Sequence, residues 1–195
     1  MQATITRVPG KFPEPEFSNL QRAVFADVQR ESAALAEVLA FERQTRVESE
    51  KTTHSAMVRF GAYVDSELVG WSCGWIERGD CFYMANSGVV PSHQRRGIYS
   101  ALLAAVLAHA RDVGAQVVRS QHSVLNSRVI ACKLRREFYI AGLSCSAQMG
   151  TLVELVHHIS SPRFELFRTR VIPHVEPSGM AHSPLDTSAE IRLNV

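Results

Sequence analysis

A chain of 195 residues, 46% hydrophobic and 21% charged, has the composition of a folded globule rather than a disordered segment, and its length suits one domain with one core. Its 21 Lys+Arg against 19 Asp+Glu leave a net charge of +2, which argues against the dense basic face of a dedicated nucleic-acid binder. No stretch supplies the ~20 apolar residues of a membrane span, and residues 1–17 lack the apolar core of a secretory signal.

The alternation of residues 3–8 predicts an edge strand, followed by a loop holding Pro9, Gly10, Pro13 and Pro15. Ser18 with Gln21 three residues on has the form of a capping box. Leu20, Val24, Val28, Leu35 and Leu39 then recur at helical spacing, giving one long helix or two broken near Ser32, and the polar residues 42–55 read as a loop. Residues 57–64, 68–76 and 81–90 alternate as three strands of an antiparallel meander, with turns at 65–67 and 78–80. Trp71 and Trp75 fall on one face of the second of these strands, in the core or lining an acceptor pocket.

A helix over 97–113 carries the stripe Ile98, Ala101, Leu102, Ala105 and Val106 and stops at Gly114. A short strand at 115–120, a helix at 126–136 with Val129, Ile130 and Leu134 on one side, and strands at 138–140 and 148–156 follow. The helix crossing between strands 81–90 and 115–120 makes those two strands parallel neighbours. Residues 164–170 read as a terminal helix or a partner contact, and Pro173, Pro177, Gly179 and Pro184 mark a loosely ordered tail. The expected organisation is a single α+β domain over 1–170 with a tail over 171–195. Cys73, Cys81, Cys132 and Cys145 form no C-x-x-C pair and His157-His158 has no spaced partners, so no metal site is expected and reduced thiols in a cytoplasm are the simplest reading.

The segment with chemical content is Val89-Val90-Pro91-Ser92-His93-Gln94-Arg95-Arg96-Gly97-Ile98-Tyr99. A strand ends, a turn with two arginines follows, and a glycine opens a helix. Converging N–H groups and the positive end of the helix dipole make such a junction an anion site. Gly97 would let a phosphate approach the backbone, with Arg95 and Arg96 adding charge. The competing reading is an ordinary strand-to-helix turn with solvated arginines.

Gln94-Arg95-Arg96-Gly97-Ile98-Tyr99 resembles the Q/R-x-x-G-x-G/A motif of the GNAT acetyltransferase superfamily, and the element order over residues 57–160 is similar to that family's. The resemblance implies a central, mixed, mostly antiparallel sheet with helices on both faces and parallel strands splayed at an acyl-CoA site. It implies that Gln94, Arg95, Arg96, Gly97, Ile98 and Tyr99 hold the pyrophosphate of acetyl-CoA. It also implies that Gly88, Val89 and Val90 offer backbone groups to the pantetheine arm, with the Val89 N–H polarising the thioester carbonyl. Family members often show Asn, then Tyr seven residues on, then Gly-Phe at eleven and twelve. Asn126 and Phe138 fit this register, whereas Lys133 replaces the tyrosine and Glu137 the glycine. Tyr99 departs from the small residue favoured at its position.

The residues behind these roles each have a second reading. Lys133 is either the proton donor to the leaving thiolate or a solvated helix lysine. Asn126 either bonds the pantetheine arm or caps its helix. No carboxylate lies between Cys81 and Val90, so His122, at the strand end facing the family's acceptor cleft, stands as the base. Glu77 and Glu154 are weaker candidates, and a lone histidine at a strand end is otherwise structural. The expected function is transfer of an acetyl or other acyl group from acyl-CoA to a primary amine of a small molecule, peptide or protein by direct attack. No metal, nucleic acid or membrane is involved, and a homodimer is left open, as dimers are common in the family. The alternative is a GNAT-fold protein that binds acyl-CoA or a metabolite as a sensor or scaffold without turnover.

Overall fold

The computed structural model describes residues 3–26, 56–146 and 149–171. The chain divides into two compact units, one ending at Ser160 and one beginning at Ser161. The first holds a seven-stranded sheet in the order β1-β2-β3-β4-β5-β7-β6. The strands are β1 (Thr4–Arg7), β2 (Val58–Val64), β3 (Glu67–Glu77), β4 (Cys81–Val89), β5 (Val117–Ser123), β6 (Tyr139–Ser146) and β7 (Gly150–His158). Only β4 and β5 pair in parallel; every other neighbour is antiparallel. Among the described residues the helices of this unit are α1 (Glu16–Val24), α2 (Ile98–Asp112) and α3 (Ser127–Leu134). The expected break near Ser32, the loop at 42–55 and the tail from 172 lie outside the described residues.

The helices cover both faces of the sheet. Phe60 pairs with Ser72, and Trp71, one residue along, points the other way. On one face the Phe60 and Phe82 rings meet His109 of α2 at 5.8 and 5.9 Å. Ile98, Leu102, Leu103, Val106 and Ala110 of α2 enter the main core there with Ala62, Met84, Val89 and Val118. On the opposite face Phe17 and Phe25 set their edges on Trp71. Trp71 is fully buried and its indole N–H donates to Asn86 Oδ1 at 2.9 Å, a partner that a buried indole needs. Gly88 is small for the same reason: a Cβ there would lie 2.6 Å from the Trp71 ring and 2.8 Å from Val24 of α1.

Three expectations need correction. Ser18 is not an N-cap, because α1 begins at Glu16; Ser18 instead gives its N–H and hydroxyl to the Glu14 carboxylate at 3.2 and 2.6 Å. The prolines at 13 and 15 set the entry earlier than the capping-box pattern suggests. β6 runs to Ser146 rather than stopping at Ile140, because pairing with β7 holds a stretch of small and polar residues with little strand character of its own. The third correction lies in α3. Leu134, read with Val129 and Ile130 as one apolar side of the helix, is 42% exposed, and Lys133 is fully buried.

α3 ends in a left-handed residue. Phe138 N–H returns to Lys133 O and Glu137 takes φ +61°. That conformation is the one that favours glycine at this place. Glu137→Gly is therefore expected to stabilise the protein by about 0.5–1 kcal/mol, the left-handed penalty of a side chain less the extra entropy of glycine. Thermal unfolding should show a rise of about 1–4 °C, and no rise would place the strain elsewhere. In the second unit the described chain is a single helix, α4 (Ser161–Val171), as residues 164–170 predict. Arg168 pairs with Glu165 at 3.5 Å and lies over the Phe164 ring. Among the described residues no helix is long and apolar enough to cross a membrane.

Candidate active site

β4 and β5 pair from Cys81↔Val117 to Met84↔Ser120 and then part. The cause is on the other side of β4. Cys73 pairs with Asn86 and Gly74 with Met84, which leaves Ala85 as an extra residue, a β-bulge. The bulge bends β4 away from β5 and resets its alternation, so that Met84 before it and Val89 after it both enter the α2-side core. Beyond the fork β5 continues to Ser123, paired to β7 alone.

The bulge also decides which backbone groups face the fork. Val90 N–H donates to Val69 O on β3 at 2.9 Å. By the alternation of an antiparallel ladder, Gly88 is also turned to β3, and the N–H and C=O of Val89 point to the opposite, β5 side. Val90 O accepts from His93 N–H at 2.9 Å in the next turn. Of the three residues expected to offer backbone groups, Val89 is the one whose N–H and C=O turn into the fork.

The turn that follows has the shape of an anion cradle. Gln94 lies over the strand end, and its Nε2 donates to Val89 O at 3.0 Å, so its side chain ties the turn to β4. Arg95 and Gly97 both take positive φ, +63° and +79°, on either side of Arg96. Alternation of this kind curls successive N–H groups around a concavity. Gly97 sits at the N-cap of the 15-residue α2, and a Cβ on it would meet nothing within 4 Å. The glycine is thus set by its backbone angle and by open space in front of it, not by crowding within the protein. Arg95 and Arg96 are exposed. Ile98 is buried core. Tyr99 is half-buried, and its phenol oxygen is enclosed with no partner among the described residues, which pushes its pKa well above the usual value.

Lys133 lies at the fork itself. Nζ donates to Ser120 Oγ at 2.6 Å, faces Met84 Sδ at 3.5 Å and stands 4.9 Å from the centre of the Phe138 ring. Met84 and Ser120 are the last pair before β4 and β5 separate. The solvated-lysine reading is overturned by this burial. Loss of hydration pushes the Lys133 pKa down to about 7, with Cys132 offsetting a little. His122, two residues along β5, places Nε2 3.2 Å from the same Ser120 Oγ. Burial first, and then the Lys133 charge, hold its pKa at about 3.

The remaining candidates are elsewhere. Asn126 occupies the N-cap of α3, but its side chain makes no capping hydrogen bond and is exposed. Glu77 and Glu154 are both engaged by Arg119, at 2.7 and 3.4 Å. Trp75 meets the Tyr83 ring at 5.2 Å. Among the described residues no three metal-ligating side chains come together. Ser120 was not singled out in the sequence; a lone serine in a strand carries no signal until α3 is folded over it.

The fold is shared with known proteins. The structure resembles the ribosomal-protein-S18-alanine N-acetyltransferase of Escherichia coli, with 14% identity over 80% of this chain and 95% of that one and a TM-score of 0.56. It also resembles a Bacillus subtilis acetyltransferase solved in complex with CoA, with 14% identity over 80% and 99% of the two chains and a TM-score of 0.55. Against nourseothricin acetyltransferase the identity is 20% and the TM-score 0.50, over 53% of this chain and 66% of that one. No curated protein sequence matches the chain. At these identities the structures speak for the fold alone. The sequence itself matches the model of the acetyltransferase (GNAT) family over residues 21–138, more than half of its length, and the chain belongs to that family.

Proposed function

We propose that the protein transfers an acyl group, acetyl in the first instance, from acyl-CoA to a primary amine by direct attack. The observation that carries this reading is the fork: parallel pairing stops at Met84↔Ser120, a buried ammonium stands at that point, and the free edge of β4 leads into the Gln94–Gly97 turn. These parts fit the co-substrate. The turn and the N-terminus of α2 present N–H groups and two arginines to a pyrophosphate. The Val89 N–H, aimed into the fork, is the donor for the thioester oxygen as it gains charge. Lys133 is the proton donor to the departing thiolate, a task suited to a group whose pKa is brought down to about 7. The acceptor is a neutral amine of a small molecule or peptide.

CoA and acetyl-CoA are expected to raise the melting temperature, since a ligand at about 100 times its Kd stabilises by ~2.7 kcal/mol. Gly97→Val should remove that shift, because its side chain fills the space before the helix. Incubation with acetyl-CoA and a panel of amines should release free thiol above the enzyme-free rate. No thermal shift with any of several acyl-CoAs would sink the reading.

A further inference from the structure

Lys133, Ser120 and His122 form one line of hydrogen-bonding atoms. Nζ to Oγ is 2.6 Å and Oγ to Nε2 is 3.2 Å. Ser120 is fully buried, and a serine hydroxyl has one proton to give and two lone pairs to receive with. It can therefore accept from an ammonium on one side and an imidazole N–H on the other, then reverse toward either. Met84 from β4 and Phe138 after α3 border the ammonium on two further sides, with His157 of β7 tilted behind the Phe138 ring at 5.1 Å. Cys132 is the neighbour on α3 itself, and Arg135 and Arg136 on the next turn are exposed. Among the described residues no carboxylate pairs with Lys133. The ammonium's hydrogen-bonded route to another titratable group thus runs through Ser120.

We propose that Ser120 is a positioning residue that joins Lys133 to His122 as a proton relay, returning to Lys133 the proton that the acceptor amine loses. The inference rests on the acyl-transfer reading above. The amine nitrogen forms a bond to the acyl carbon and the C–S bond breaks. Lys133 gives one ammonium proton to the sulfur, leaving a neutral thiol and a neutral amine on Lys133. The proton shed by the acylated nitrogen enters the His122 ring, the Nε2 proton passes to Ser120 Oγ, and the hydroxyl proton passes to Lys133 Nζ. The sum is one proton moved from the amine to the thiol, with the charge of all three side chains restored and the His122 ring left in its Nδ1–H tautomer, which exchange with solvent resets before the next turnover. The charges enforce this order. While Lys133 is charged it suppresses protonation of His122, and once Lys133 is neutral that suppression is gone.

Two measurements on the full chain test it. In ligand-free protein, NMR titration of the histidine rings should place His122 at least about one pH unit higher in Lys133→Met than in the wild type, by release of the charge coupling. In thiol-release assays, Ser120→Ala should lower kcat about 10–100-fold with the KM for acyl-CoA unchanged within about twofold. Its alkaline limb should move to lower pH, because a bond that favours the ammonium is lost, and Ser120→Thr should restore most of both. His122→Gln, which keeps a hydrogen-bonding side chain but cannot carry a proton, should lose kcat alike. An unmoved His122 titration, or wild-type kcat and limb in Ser120→Ala or His122→Gln, overturns the relay and leaves acyl transfer standing. A wild type that binds CoA but releases no thiol with any amine overturns the transfer reading and the relay with it.

Discussion

Lys133→Met is expected to lower kcat by about 10²–10³-fold while changing the Kd of CoA by no more than about twofold. Methionine fills nearly the same volume, so the fork keeps its packing and the substitution removes the charge and the proton. The size follows from what a single positioned acid contributes. The pH profile carries the sharper signature. An acid must hold its proton to work, so the wild-type rate should fall as pH rises through the Lys133 value of about 7. The rising limb, set by deprotonation of the acceptor amine, is independent of Lys133. In Lys133→Met the alkaline fall should vanish and the rising limb remain. A variant with full kcat, or one that keeps the fall near 7, would remove Lys133 from the reaction. A loss confined to KM would instead make it a binding group.

The residues around Lys133 also mark where the sequence is readable and where it is not. The meander, the parallel pair and the glycine at the head of α2 follow from local patterns: alternation, a crossing helix, and a turn whose angles demand glycine. The family motif pointed to the Gln94–Gly97 turn, and the structure places that turn directly after the fork. The fork itself is hidden, because one extra residue in β4 looks like any other residue in a strand; Ala85 has no signature of its own. α3 misleads for the opposite reason. Its apolar spacing sets Leu134 on one side with Val129 and Ile130, yet Lys133 takes the interior and Leu134 faces out. A local pattern broken in this way is what a functional site leaves behind. The Glu137 departure is legible only with the backbone in hand, since a left-handed angle explains why glycine suits that place. The two indoles were readable as a pair on one face, but only packing shows that Trp71 anchors α1. Ser120 had no sequence signal because its meaning comes from two side chains that reach it from different elements.

The substitution that removes activity should also strengthen the fold, most at low pH. An unfolded lysine keeps its proton to about pH 10.4, whereas folded Lys133 gives it up at about 7. Between those values the unfolded chain binds more protons than the folded one, so the Lys133 contribution to stability improves as pH rises, by at most ~1.4 kcal/mol per unit. Below pH 7 both states hold the proton and the whole burden of enclosing an ammonium is present, on the order of 3–5 kcal/mol. Above about 10.5 neither state holds it and the burden is gone. Methionine at 133 carries no such dependence. Urea unfolding of the two proteins across pH 6–10 should show Lys133→Met the more stable at neutral pH, with the gap narrowing toward pH 10. The His122 shift expected in Lys133→Met lies below pH 6, and the remaining titrating groups are common to both chains, so they drop out of the difference over this range. A gap independent of pH would mean that folded Lys133 keeps an ordinary proton affinity, and would deny it the acid role as well. A gap that closes with pH ties both properties to one cause: the enclosure that weakens the fold at neutral pH is the enclosure that makes the ammonium a proton donor there.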